Sequence, residues 1–185
     1  MSSVSDSVSK PSLKVKFNDA YVPTRSLTYF LLSAILPVIV VVGLVLMTSV
    51  KGSTLGAISF LAGLTILGAL IKLLYDLVYD IAGYPDFKLP VWAVLYSILY
   101  VIEGFAFLIF GLHLLWPHVN YTGINDQTGA GLVDCLYLSL SRTFGVPPEA
   151  EFKAKTQIAR FLPVMQGGLM MFMNIVVITK FVTAF

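Results

Sequence analysis

From Ser26 onward the chain alternates long apolar runs with short polar breaks. Ser26 to Val50 and Gly52 to Ile71 contain no Asp, Glu, Lys or Arg, and only Lys51 separates them, so they predict two spans joined as a helical hairpin. A third run extends from Leu89 to Trp116, interrupted only by Glu103, and a fourth from Phe161 to Thr179, ended by Lys180. A bilayer core of about 30 Å needs roughly 20 helical residues, which each run supplies.

The breaks carry their own pattern. IKLLYDLVYDIAG keeps a helical period past the second run, so that helix is expected to continue to Gly83, with Lys72, Asp76 and Asp80 on one face as a solvated stripe or a partner contact. Tyr84 to Pro90 is a turn-rich connection with two prolines. Between Trp116 and Phe161 a polar loop, PHVNYTGINDQTG, precedes AGLVDCLYLSLSR. The stretch from Gly131 to Arg142 reads as a helix of about 18 Å, half a bilayer, and is a candidate re-entrant segment. Irregular backbone at membrane depth is tolerated only when buried in protein or lining water, so such a segment implies a cavity or pore. The expected fold is an all-α membrane protein with four transmembrane helices and a re-entrant pore helix and loop between the third and fourth. It divides into a polar leader (1–25), a transmembrane hairpin (26–83) and a second helical module (84–185).

Composition sharpens this picture. The chain of 185 residues is 57% hydrophobic and 12% charged, where soluble domains have about a quarter charged residues. A net charge of +2 gives no argument for nucleic acid, and the lipid bilayer is the partner the composition names. The Ser-rich leader lacks an early apolar stretch, so it is expected not to be a cleavable signal. Lys10, Lys14, Lys16 and Arg25 precede the first run, which places both termini in the cytoplasm of a cell-membrane protein. Cys135 stands alone and is expected to be a buried apolar residue. His113 and His118 lack the facing-helix arrangement of a haem site, and no hydrolase, protease, nucleotidase or metal-cluster motif occurs, so neither enzyme nor cofactor is expected. Asn120-Tyr121-Thr122 fits the N-glycosylation pattern.

Two stretches, DCLYLSLSRTFG (Asp134 to Gly145) and TQIARFLPVMQGGLMMF (Thr156 to Phe172), follow a span and a polar turret in order. From Val91 to Phe185 this order resembles the two-helix pore module of potassium channels. In that family a pore helix with a Tyr-x-Ser pattern leads into T-V-G-Y-G-D, and an inner helix follows an Arg and carries a glycine hinge. Tyr137 and Ser139 match the pore helix, Thr143 and Gly145 the first and third filter positions, Arg160 the inner-helix start, and Gly167 or Gly168 the hinge. The resemblance implies an ion pathway along Thr143, Phe144, Gly145 and Val146, and a homotetramer in which each chain supplies one quarter of a filter.

The departures bear on conduction. Val146 stands where the filter has Tyr, and Pro147, with φ fixed near −65°, stands where it needs a second Gly. Glu149 and Glu151 are either an acidic mouth or solvated loop charges balanced by Lys153 and Lys155. Arg142 is expected to pair with Asp134, Glu149 or Glu103 of the same or a neighbouring chain. Three intramembrane polar residues are site candidates. Glu103 is either an ion or proton site or a hydrogen-bond anchor to the pore helix, while Gln166 and Asn174 are able to face one side of the last span. The expected function is a cation-channel-like pore subunit with a non-standard filter; the alternative is a non-conducting structural or assembly subunit of a larger membrane complex.

Overall fold

The computed structural model describes residues 29, 31–47, 50–83, 91–148 and 151–182. The leader 1–25, the Tyr84 to Pro90 connection and Glu149 lie outside the described residues. Nearly everything described is helical. A π-helical turn, Leu31–Ile35, runs into helix α1 (Leu36–Leu46); α2 spans Gly52–Gly83 and α3 Val91–Leu115. A short strand β1 (Tyr121–Thr122) leads to α4 (Thr128–Thr143), and β2 (Lys153–Ala154) leads to α5 (Gln157–Val182). Among the described residues three helices are long and apolar enough to cross a membrane, within Gly52–Val78, Val94–Leu115 and Gln157–Val177. An all-α membrane protein is the result.

Local sequence accounts for most boundaries. Pro37 has no N–H to return to the carbonyl of Ser33, and the wider π turn lies just ahead of it. α1 ends at Leu46, earlier than the Val50 expected from hydropathy, with the Met47 N–H bonded to the Gly43 carbonyl. α2 continues to Gly83 as its period predicts. α5 begins at Gln157, four residues before the expected Phe161, and accommodates Pro163 within it.

The α2–α3 pair is held by close backbone approach. Gly56 and Gly63 on α2 face Gly111 and Gly104 on α3, and in each helix the pair is seven residues, about two turns, apart. A Cβ at Gly63 would lie 2.8 Å from the Gly104 carbonyl oxygen, and one at Gly111 would lie 2.7 Å from the Phe60 nitrogen. In lipid, where no hydrophobic force drives helices together, small residues let backbones meet and gain dispersion contacts. Ile66, Leu70, Tyr100, Val101 and Phe105 fill the flanks of this seam.

α3 also carries α4, while α5 is attached lightly. Among its described side chains Ala159, Gln166 and Met173 are buried, seven apart, Leu162, Leu169 and Met170 are half-buried against the core, and Phe161, Val164, Met171 and Ile175 are exposed. The two strands close the loop bearing α4, pairing antiparallel with Tyr121 opposite Ala154 and Thr122 opposite Lys153. Gly123, at φ +87°, allows this crossing because a Cβ there would meet the Glu151 carbonyl at 2.6 Å.

Candidate functional site

The site candidates converge on α4. The loop before it is tied by Asn125, whose N–H donates to Asp134 Oδ2 at 2.8 Å and whose Oδ1 accepts from the Gln127 N–H at 2.9 Å. The helix is amphipathic: Leu132, Cys135, Leu138 and Ser139 are buried, while Val133, Tyr137, Leu140 and Phe144 line an exposed apolar stripe. With 16 residues it measures about 24 Å, longer than the expected Gly131–Arg142 segment and still short of a full crossing.

The end of α4 is a glycine-capped helix terminus. Gly145 has φ +69°, its N–H bonds to the Arg142 carbonyl, and the Val146 N–H reaches the Ser141 carbonyl at 2.8 Å. This pair of bonds is the Schellman arrangement, which favours glycine in the left-handed position and often has proline shortly afterwards. Pro147 and Pro148 stand there. Thr143 is thus the last helical residue, Phe144 the cap, and Phe144 and Val146 present exposed side chains.

Behind the cap, Gln166 fastens α4 to α5. Its Nε2 group shares two N–H donors among the Ser139 carbonyl (2.8 Å), Ser139 Oγ (3.1 Å) and Thr143 Oγ1 (2.8 Å). Ser139 Oγ donates to the Ile102 carbonyl at 2.8 Å, and Thr143 Oγ1 donates to the Ser139 carbonyl at 2.9 Å. Three helices are therefore linked through two hydroxyls and one amide. Gln166 is 1% exposed, and its Oε1 has no partner among the described residues. Tyr137, the other half of the Tyr-x-Ser pattern, packs its ring against Phe152 at 6.0 Å between centroids.

A second tie follows from Pro163. Lacking an N–H, it leaves the carbonyl of Ala159, four residues earlier, without its helical donor. The hydroxyl of Tyr121 donates to that oxygen at 3.2 Å. Burial pushes the Tyr121 phenol up to about 12, against an opposing pull from the Arg142 guanidinium beside it. Arg142 thus lies next to Tyr121. Of the carboxylates expected to pair with it, Asp134 is engaged by Asn125 and Glu149 is outside the described residues.

The other candidates separate. Glu103 Oε2 is buried without a partner among the described residues, and the anchor to α4 comes instead from the neighbouring Ile102 carbonyl. Gln166 and Asn174 do not share a surroundings, since Asn174 is exposed. Gly167 and Gly168 lie in unbroken helix, with open space where a Cβ would be. His113 and His118 flank Asp126 at 3.6 and 3.5 Å, holding the loop against the end of α3. Asn120 is buried, its Nδ2 turned to the Leu112 carbonyl and its Oδ1 accepting from Thr156, so the glycosylation pattern has no exposed amide in this fold.

Three features escaped sequence reasoning. The glycine seam was signalled by paired glycines seven apart on both α2 and α3, and the Tyr121 tie by a proline inside an apolar run. The T-x-G triplet carried no distinguishing signal, because a filter and a helix cap both call for glycine at the same place. Comparison with known proteins finds no matching family model, and no curated protein or solved structure matches the chain at a significant level.

Proposed function

We propose that this protein is a four-span cell-membrane protein with both termini cytoplasmic, whose channel-like half serves as a non-conducting structural or assembly subunit of an oligomer or larger membrane complex. The observation that carries the reading is the cap at Gly145. Conduction by a potassium-type filter needs successive carbonyl rings that replace the ion's water. Here Thr143 to Val146 is folded into a helix end, with Thr143 still helical and Gly145 at φ +69°, instead of being laid out as a row of carbonyls, and the Thr143 hydroxyl is taken by Ser139 and Gln166. The exposed stripe Val133, Tyr137, Leu140 and Phe144 and the open face of α5 are apolar surface that lipid and neighbouring membrane helices are equally able to cover. Purified protein of verified oligomeric state, recorded in planar bilayers, is expected to pass no current. Cation-selective single-channel currents altered by Thr143→Ala would overturn the proposal.

A further inference from the structure

Where α3 ends, Leu112, Trp116, Val119, Asn120 and Ile158 line an open, apolar cleft of about 220 Å³. This exceeds the apolar cavity of about 150 Å³ that accepts benzene in an engineered core. Trp116, Val119 and Ile158 are 53%, 53% and 61% exposed, at the level where tryptophan marks the membrane interface. Asn120 offers the cleft no free amide, because both ends of its side chain are bonded inward.

The border is cationic. Lys155 is fixed beside the cleft, its N–H donating to the Asn120 carbonyl at 2.9 Å and its Nζ to the His118 carbonyl at 3.1 Å. That ammonium keeps two further protons to donate. Lys153 and Arg160 are exposed on the adjoining strand and helix start, and Arg160 Nε reaches the Ala154 carbonyl at 3.4 Å. Among the described residues of this stretch Glu151 is the acid, and Asp126 faces the two histidines.

We propose that the cleft binds an anionic phospholipid, with an acyl chain against Trp116, Val119 and Ile158 and the phosphate at Lys155, supported by Lys153 and Arg160. An apolar cleft takes hydrocarbon and excludes a free phosphate. The exposed ammonium and guanidinium groups attract an anionic head group by direct charge complementarity, whereas the quaternary ammonium of phosphatidylcholine opposes the lysines. The proposal rests on membrane location and not on the role of α4.

Trp92→Phe leaves Trp116 as the sole tryptophan. This protein is reconstituted in phosphatidylcholine vesicles containing a minor fraction of brominated phosphatidylglycerol or brominated phosphatidylcholine, and quenching of Trp116 is measured. An about fivefold preference for the anionic lipid is expected, the factor associated with one basic residue at a charged interface. Equal quenching by the two lipids at low salt overturns the proposal. Lys155→Gln in the same background is expected to abolish most of the preference, and a folded variant that retains it in full overturns the assignment. Should that variant not fold, raising the salt on the parent protein serves instead. Screening is expected to collapse the preference, and a salt-independent preference contradicts it.

Discussion

Replacing Gln166 by leucine probes the fastening of α4 to α5. The amide's two N–H groups serve three acceptors on α4, and the α4–α5 contact is otherwise slight. Interhelical hydrogen bonds in membrane proteins average about 0.6 kcal/mol and reach about 1.7. The acceptors are not stranded by the change, since the Ser139 carbonyl still receives the Thr143 hydroxyl at 2.9 Å, and leucine introduces no orphaned carbonyl of its own. The expected loss is about 1 to 2 kcal/mol, which lowers the thermal midpoint by about 2 to 8 °C for a chain of this size. The assay is thermal unfolding in detergent, with amide hydrogen exchange in the last turn of α4 as the local readout. Asn174→Leu is the control, because that side chain is exposed on the same helix, and it is expected to stay within about 0.5 kcal/mol. Gln166→Leu as stable as the parent, or Asn174→Leu equally destabilising, would refute the reasoning.

Three more outcomes follow from the geometry. Gly145→Ala places a side chain at φ +69° and is expected to lose about 1 to 2 kcal/mol in the same unfolding assay. Gly63→Ala drives a Cβ to 2.8 Å from the Gly104 carbonyl and is expected to lose about 1 to 3 kcal/mol, whereas Gly68→Ala, with open space around it, gains up to about 1 kcal/mol of helix stability. Tyr121→Phe loses about 1 kcal/mol in the parent protein but less in a Pro163→Ala background, where the Ala159 carbonyl regains a helical donor; a double-mutant cycle with no coupling contradicts that account.

Three of the four expected spans were legible, at Gly52–Val78, Val94–Leu115 and Gln157–Val177, because transfer of apolar residues from water dominates their placement, and runs such as Val91 to Leu115 contain almost nothing that opposes it. The extension of α2 to Gly83 was legible from its 3.6-residue period. The end of α1 was not, since hydropathy continues to Val50 while the last helical residue is Leu46. The β1–β2 clasp escaped notice because two-residue strands have no period to detect. At the candidate site, sequence identified the polar residues but not their partners. Gln166 and Asn174 have the spacing of near neighbours on a wheel, yet the seam through Ala159, Gln166 and Met173 buries one and leaves the other exposed. The Thr143 to Val146 stretch shows the limit most clearly. Residue type specifies that Gly145 permits a positive φ, while the surrounding hydrogen bonds specify what that conformation does.

The central claim, that this stretch is a helix cap, is tested most directly by solid-state NMR on protein isotopically labelled at Ser141, Gly145 and Val146 in lipid bilayers. A positive φ at Gly145 and a Val146 N–H bonded to the Ser141 carbonyl, both unchanged on exchanging potassium for sodium, are expected. An extended Thr143 to Val146 backbone whose shifts respond to potassium would contradict the account.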